Sequence, residues 1–234
     1  MRNHHIQRNN QSGMPAMKPT DYDHFSFDLD GTIIDSIPVM EKAWNQVCRE
    51  FGVTVPFIAY KDKIGVPFNA ILDRLGLDEL GAEFEQRYFE LTGEHIDEIQ
   101  VFDGFSEFLD KVKASECTTS IITSKPSTNT HAILAKAGIT VDAVVCSDEV
   151  NLGKPHQESF QHVLNSIKGK TPSRCIYFGD GLPDFIFSVN AGMEYCHCNF
   201  GVHGALSPLL FPKPYAINSW KELDGHPNTC HSTL

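Results

Sequence analysis

The sequence lacks any apolar run long enough to cross a lipid bilayer, for which about 20 residues are needed. Its first residues also lack the basic-then-apolar pattern of a secretory signal peptide. Cysteine is scarce, and its seven scattered residues suit free thiols in a reducing compartment better than a disulfide framework. We therefore expect a cytoplasmic protein without a membrane association.

Positive charge is also in short supply, since 19 lysines and arginines stand against 30 aspartates and glutamates, a net charge of −11. This balance argues against nucleic acids and anionic membranes as partners, because both bind basic surfaces. It does not exclude small anionic substrates, since a bound cation and a few placed lysines reverse the local field. With 41% hydrophobic residues, the 234-residue chain has enough apolar surface for a packed core.

Short apolar strands alternate with amphipathic helices after residue 23. The predicted strands are His24–Asp28, Thr118–Thr123, Asp142–Ser147, Arg174–Phe178, Glu194–Asn199 and Pro214–Asn218. The predicted helices between them are Phe105–Ala114, Thr130–Ala137 and Gln157–Lys168. Several strands are apolar at consecutive positions, as expected when both faces of a sheet are covered. The alternation predicts an α/β fold with a doubly wound, Rossmann-like parallel sheet.

Residues 36–100 interrupt the alternation with helices alone. The predicted helices, each with an apolar stripe, are Val39–Phe51, Phe68–Leu75 and Glu79–Thr92, with a shorter one near Pro56–Tyr60. Because ligands of open α/β sheets bind at the carboxyl ends of the strands, we expect this insertion to cover the site as a lid. The predicted division is a mobile N-terminal tail at 1–20, a core domain at 21–35 and 101–225, a helical cap domain at 36–100 and a C-terminal tail at 226–234.

Two aspartates follow the first predicted strand, two positions apart. At a strand end this spacing points Asp28 and Asp30 to the same side. Carboxylates so close repel each other unless one is protonated or a cation lies between them. A divalent metal would relieve the repulsion and leave one carboxylate as a nucleophile and the other as a proton donor. The alternative is an ordinary Asp-Gly turn after a strand.

Three further motifs place polar residues after other predicted strands or before a helix. Thr123 and Ser124 would bind a phosphoryl oxygen, or simply cap the next helix. Lys154, between glycine and proline, is either a phosphate-binding charge or a surface lysine in a turn. Asp180 and Asp184 supply the carboxylates that Mg²⁺ prefers, or form a turn and a helix cap. No motif decides alone, but the structural alternatives would have to coincide in sequence order and in topology.

Taken in order, the motifs resemble those of the haloacid dehalogenase (HAD) superfamily over roughly residues 22–220. The matching residues are Asp28-Leu-Asp30-Gly31-Thr32 for the first motif, Thr123 for the second, Lys154 for the third, and Asp180 with Asp184 for the fourth. The helical insertion is similar to a C1-type cap. Asp35-Ser36 and Asn190-Ala-Gly-Met193 resemble the phosphoglycolate phosphatase-like branch.

The resemblance implies hydrolysis of a phosphomonoester through an aspartyl-phosphate. Asp28 would attack phosphorus, and Asp30 would protonate the leaving oxygen and then deprotonate the attacking water. The implied cofactor is Mg²⁺, held by Asp28, the backbone carbonyl of Asp30 and Asp180. The implied partner is a small phosphorylated metabolite.

The resemblance also implies which groups bind the phosphate. Thr123, Ser124 and Lys154 would contact the transferring phosphoryl oxygens. Asp184 would act from behind them, by orienting Lys154 or a metal-bound water.

Sugar-phosphate mutases of the β-phosphoglucomutase type keep both aspartates and are the main alternative. A mutase must hold a second phosphate in its cap, and known ones place an arginine soon after the glycine of the cap loop. Here the corresponding substrate-specificity loop, Gly65, Val66, Pro67 and Phe68, is apolar, which favours a phosphatase. A catalytically idle binding protein is a further alternative, which the intact acidic and phosphate-binding positions disfavour.

Overall fold

The computed structural model describes residues 21–167, 169–205 and 215–223. Both predicted tails, 1–20 and 226–234, lie outside these ranges, and the description begins at Asp21. Lys168 and Pro214, the expected ends of a helix and a strand, also lie outside them. Within the described ranges no helix is long and apolar enough to span a membrane. The six cysteines in these ranges are buried thiols that take part in no disulfide, as their scattered spacing predicts.

A six-stranded parallel sheet forms the centre of the fold, in the order β5-β4-β1-β6-β7-β8. Its strands are β1 (His24–Phe27), β4 (Thr118–Ile122), β5 (Ala143–Val145), β6 (Cys175–Gly179), β7 (Glu194–Cys198) and β8 (Tyr215–Ile217). The predicted doubly wound sheet is therefore confirmed, and every predicted strand is present. A separate antiparallel pair, β2 (Ile34–Asp35) and β3 (Gln100–Val101), was not predicted. Strands of two residues are too short to show an alternating pattern.

Eight α-helices are present in the described ranges. Four lie between β2 and β3: α1 (Ile37–Glu50), α2 (Phe57–Lys61), α3 (Phe68–Leu75) and α4 (Gly81–Glu94). The other four cover the sheet: α5 (Phe105–Ala114), α6 (Ser127–Ala137), α7 (Glu158–Ser166) and α8 (Leu182–Ala191). The sequence placed the start of α6 three residues late, at Thr130, because its first turn is polar and lacks the apolar stripe. α3 and α6 each end at a left-handed glycine, Gly76 and Gly138.

Apolar side chains form three clusters, and the sheet separates two of them. One face of the sheet, with Phe27 and Phe178, packs on α5, α6 and Trp220, and the other, with Tyr177, packs on α7 and on Phe187 of α8. The third cluster belongs to residues 37–91 and surrounds Trp44, whose ring stacks on Tyr60 at 4.4 Å. The helices between β2 and β3 thus have an apolar core of their own. The domain boundaries of the sequence analysis remain a prediction.

Candidate active site

The carboxyl ends of three adjacent strands carry the polar residues that the motifs singled out. β1 lies between β4 and β6 in register, and Asp28, Thr123 and Asp180 each follow directly on one of these strands. The Asp28 N–H continues the ladder to the Phe178 carbonyl at 2.8 Å. Since neighbouring parallel strands end at the same edge of the sheet, the three side chains are brought together.

Lys154 joins two of the aspartates. Its Nζ donates to Asp28 Oδ1 at 2.6 Å and to Asp184 Oδ1 at 2.8 Å, and all three side chains are buried. A third contact, at 3.2 Å, reaches the Tyr177 hydroxyl, which itself donates to the Ile122 carbonyl. The lysine is therefore fixed from several sides and is no surface residue, which settles the structural question that the sequence left open.

Burial dominates the electrostatics of this group. It raises the pKa of Asp28 to about 7, although Lys154 opposes the shift, and Asp184 adds to it. The pKa of Asp180 is also raised well above its usual value, by burial first and then by Asp184 and Asp28. Burial alone would lower the pKa of Lys154, but Asp184 and Asp28 together raise it. The site is thus short of positive charge.

Asp184 lies in the first turn of α8 and both of its oxygens accept hydrogen bonds. Oδ2 accepts from the N–H groups of Asp180 and Gly181 at 3.3 and 3.1 Å, while Oδ1 accepts from Lys154. The side chain therefore caps its helix and orients the lysine at the same time. The cap contact and the contact with Lys154 are thus made by one residue, and the functional role of Asp184 stays a prediction.

Oxygen atoms of Asp28, Asp180 and Asp184 lie within 4.8 Å of one another, and all three residues are buried. Asp180 Oδ2 accepts a 2.5 Å hydrogen bond from the Val202 N–H, and Asp28 Oδ1 and both Asp184 oxygens are also engaged. Within the described ranges, this leaves Asp28 Oδ2 and Asp180 Oδ1 without a hydrogen-bond donor. The carboxylate oxygens that have no donor are those of the first and fourth motifs.

Asp30 has different partners from Asp28. Its Oδ1 accepts a 2.5 Å hydrogen bond from the Ser36 hydroxyl and lies 3.2 Å from Lys125 Nζ. Asp30 and Lys125 are both buried. The two aspartates of the first motif are thus paired with two separate lysines.

Thr123 and Ser124 occupy the turn after β4. The Thr123 hydroxyl oxygen accepts from the Lys125 N–H at 3.1 Å, so its proton is left for another acceptor. The Ser124 hydroxyl donates to the Gly65 carbonyl at 3.0 Å and so links this turn to the helical segment. Among the described residues no acceptor is found for the Ser124 N–H. For Ser124, the backbone rather than the hydroxyl is the free donor.

A cavity of about 30 Å³ lies between these residues and the helical segment. Its sheet side holds five polar residues: Asp28, Asp30, Thr123, Ser124 and Lys125. Its other side is apolar apart from the Tyr60 hydroxyl and is lined by Met40, Tyr60, Ile64, Gly65, Val66, Phe68, Ile71 and Phe89. The Tyr60 hydroxyl is bound to that of Tyr88 at 2.8 Å.

Three of the four residues of the proposed specificity loop, Gly65, Val66 and Phe68, line this cavity. Pro67 does not; it borders a separate surface cleft together with Gly153 and Lys154. A Cβ atom on Gly153 would lie 2.8 Å from Pro67 Cγ, so the contact requires glycine before Lys154. Pro67 thus packs against Gly153, the residue before Lys154, and does not line the cavity.

Sequence reasoning missed four groups of this site: the side chains of Lys125, Ser36 and Tyr177, and the N–H of Val202. Lys125 follows Ser124 directly and Tyr177 lies in a predicted strand, but nothing local separates a buried lysine or tyrosine from an exposed one. Ser36 was noted only for its resemblance to one branch. Val202 acts through its backbone, so its side chain carries no signal at all.

Comparison with known proteins supplies an independent view. A family model described as "Haloacid dehalogenase-like hydrolase" matches residues 26–198. A phosphoglycolate phosphatase of Xanthomonas campestris pv. campestris (strain 8004) is 30% identical over 178 residues, which are 71% of this chain and 78% of that protein.

Solved structures show the same fold at lower identity. A hydrolase from Pseudomonas syringae superposes with a TM-score of 0.76 at 21% identity, over 87% of this chain and 98% of that one. CbbY from Rhodobacter sphaeroides, solved in complex with phosphate, has a TM-score of 0.72 at 16% identity, over 86% of this chain and 96% of that one.

Proposed function

The chain belongs to the haloacid dehalogenase-like hydrolase family and is a phosphatase, and we propose that it hydrolyses a small phosphomonoester through an aspartyl-phosphate on Asp28, with Mg²⁺ as cofactor. The observation that carries the proposal is the buried cluster of Asp28, Asp180 and Asp184 at the strand ends, in which Lys154 binds Asp28 and Asp184. A carboxylate nucleophile and a fixed cation beside it are what attack on a phosphate dianion requires.

The donor set fits Mg²⁺. Three buried carboxylates lie together, and the cation that binds two of them is Lys154, so a divalent cation would balance the remaining negative charge. Asp28 and Asp180 each keep an oxygen free of hydrogen bonds from the described residues, and Mg²⁺ favours a few carboxylates completed by water and substrate oxygens. Asp28, Asp180 and the backbone carbonyl of Asp30 would hold the ion. When bound, it supplies the positive charge that reduces repulsion between Asp28 and the phosphate.

The side chains of the site carry out the phosphoryl transfer and the hydrolysis that follows it. The carboxylate of Asp28 forms a bond to phosphorus while the bond to the alcohol oxygen breaks. Asp30 gives a proton to the departing oxygen and then takes one from the water that hydrolyses the aspartyl-phosphate. Lys154, the Thr123 hydroxyl and the Ser124 N–H bind the phosphoryl oxygens. Asp184 keeps Lys154 in place, since it accepts a 2.8 Å hydrogen bond from it.

The cavity favours a phosphatase over a mutase. A mutase must hold a second phosphate on the cap side, and burying such a charge without a partner costs several kcal/mol. Among the described residues, those that line this side of the cavity carry no charged side chain. The second candidate therefore has no observation in its favour.

The test is phosphate release from a panel of phosphorylated metabolites that includes 2-phosphoglycolate and hexose phosphates, with Mg²⁺ and with EDTA. We expect Mg²⁺-dependent release that drops at least about 1,000-fold in Asp28→Asn, because the nucleophile is lost. Phosphorylation of Asp28, read by mass spectrometry of quenched protein, would be absent from the variant.

Other outcomes contradict the proposal in different ways. Conversion of β-glucose 1-phosphate into glucose 6-phosphate, without phosphate release, would assign a mutase. Wild-type activity that survives EDTA would remove the metal from the mechanism. Silence of folded wild-type protein towards the whole panel would support a binding protein instead.

A further inference from the structure

The proposed phosphoryl transfer gives no role to Lys125, a buried cation that follows β4. Its side chain is 3% exposed, and the side chain of its partner Asp30 is 9% exposed. The backbone on both sides is held, since the Lys125 N–H donates to Thr123 Oγ1 and its carbonyl accepts from the Ser147 N–H. A buried ammonium is costly unless it is paired, so its position beside Asp30 is set by the fold and by the pairing.

The two lysines of the site divide the aspartates between them. Lys154 binds Asp28 and Asp184, while the nearest carboxylate to Lys125 is that of Asp30, at 3.2 Å. The proposed nucleophile Asp28 and the proposed proton donor Asp30 are therefore paired with different lysines. A change at Lys125 reaches Asp30 without removing a partner from Asp28.

The contacts of Asp30 are confined to one of its oxygens. Oδ1 accepts from the Ser36 hydroxyl at 2.5 Å and faces Lys125 Nζ at 3.2 Å. No described residue donates a hydrogen bond to Oδ2, and Asp30 lines the cavity. A protonated carboxyl carries its proton on the oxygen that is not already an acceptor, which here is Oδ2.

We propose that Lys125 is a positioning residue for Asp30: by holding Oδ1, it leaves Oδ2 as the oxygen that delivers the proton to the departing alcohol. As the Asp28 carboxylate bonds to phosphorus and the phosphorus–oxygen bond to the alcohol breaks, this proton moves to the alcohol oxygen. Asp30 is left as a carboxylate beside the Lys125 ammonium. The inference rests on the proposed phosphatase function.

The test compares two phosphomonoesters whose leaving groups carry no further charge. Butyl phosphate releases a poor leaving group that needs a proton, whereas 4-nitrophenyl phosphate releases a stable phenolate that does not. We measure kcat/KM, because it covers the steps up to the first phosphorus–oxygen cleavage and excludes the later hydrolysis. In Lys125→Met, kcat/KM should fall about 30-fold for butyl phosphate and less than about threefold for 4-nitrophenyl phosphate, since a positioned acid contributes at least 100-fold.

Three variants calibrate the result. Asp30→Asn should show the same leaving-group selectivity in a larger form, and Lys125→Arg should restore most of the butyl phosphate activity. Lys136→Met is the matched control, because Lys136 binds the Ile96 carbonyl and Asp97, away from Asp28, Asp30, Asp180 and Asp184, and should leave both substrates unchanged. If Lys125→Met does not fold by circular dichroism, Ser36→Ala takes its place, since it removes the other donor to Oδ1.

An equal fall for both substrates would overturn the inference, because it would place Lys125 on the phosphoryl group or in the fold alone. So would unchanged activity in folded Lys125→Met. Failure of the proposed function has a different signature: the wild type would hydrolyse neither ester, or Asp28→Asn would keep its activity.

Discussion

Gly31 shows how little room the site leaves at the level of single residues. It follows Asp30 with a φ of +80°, and a Cβ atom there would lie 2.4 Å from Asp180 Oδ2. The turn within the first motif thus lies directly against the Asp180 carboxylate of the fourth. Glycine is needed for two reasons, the backbone conformation and the close approach, and only the second concerns the active site.

These two reasons can be separated by experiment. Gly52 has a φ of +68° but nothing within 4 Å of an added Cβ. Gly52→Ala therefore introduces backbone strain without a steric clash. We expect Gly31→Ala to lower kcat/KM at least about 100-fold, because displacing a catalytic group by an ångström has costs of this size. Gly52→Ala should lose about 1 kcal/mol of stability and keep its activity. Equal activity losses in both would show that the contact with Asp180 is unimportant.

At the level of elements, β1 has the proposed nucleophile Asp28 after its last residue and polar side chains in its interior. His24 is fully buried, and its two ring nitrogens lie 2.9 Å from Thr118 Oγ1 and 3.0 Å from Ser120 Oγ on the neighbouring strand β4. Ser120 in turn donates to Ser26. Burial, with a smaller contribution from Lys170, lowers the pKa of His24 to about 4. The central strand is therefore held to its neighbour by a neutral histidine.

This histidine predicts a pH dependence of stability. In the unfolded chain the His24 ring is protonated as the pH falls below its ordinary pKa of 6.5. In the folded chain it stays neutral until the pH falls to about 4. The stabilisation is therefore complete above pH 6.5 and is lost as the pH falls towards 4, in total by about 3 kcal/mol.

The measurement is urea unfolding of wild type and His24→Gln at several pH values, so that other titrating groups cancel in the difference. The wild-type free energy of unfolding should fall relative to that of His24→Gln across this range. His131→Gln, a change at an exposed histidine of α6, is the control and should follow the wild type. Parallel curves for wild type and His24→Gln would contradict the assignment.

At the scale of the whole molecule, polar contacts join the helices between β2 and β3 to the part of the chain that holds the sheet, beside the cavity. Asn129 of α6 donates to the Phe89 carbonyl and to Thr92 Oγ1 of α4, both at 3.0 Å. Ser124 donates to the Gly65 carbonyl, and the His203 ring lies 3.2 Å from the Ile64 carbonyl. The helical segment is thus attached beside the cavity by groups that can be removed one at a time.

Removal of the Asn129 amide should loosen this attachment. We expect Asn129→Ala to lose about 1 kcal/mol, the usual net value of such hydrogen bonds, and to raise hydrogen exchange at the α4 amides. Gln86→Ala is the matched control, because the Gln86 amide donates to Glu90 within α4 and does not touch the sheet domain. If exchange in α4 rises equally in both variants, the contact does not hold the helix.

The sequence by itself determined the order of strands and helices and the residues at the strand ends, because these depend on local periodicity and on residues near each other in the chain. Asp28, Thr123 and Asp180 could be placed at one sheet edge for that reason. Polar first turns and two-residue strands carry little such pattern, so the start of α6 and the β2–β3 pair were missed.

Only the tertiary structure decided how the charges are paired. Lys154 binds Asp28 across 126 positions of sequence, and Lys125 lies beside Asp30 across 95, with nothing local to mark either pair. The hydrogen bond from the Val202 N–H to Asp180 cannot be predicted from the sequence either, since every residue but proline has a backbone N–H. Which cation meets which carboxylate depends on how separate strand ends are aligned, and this alignment exists only after the sheet has formed.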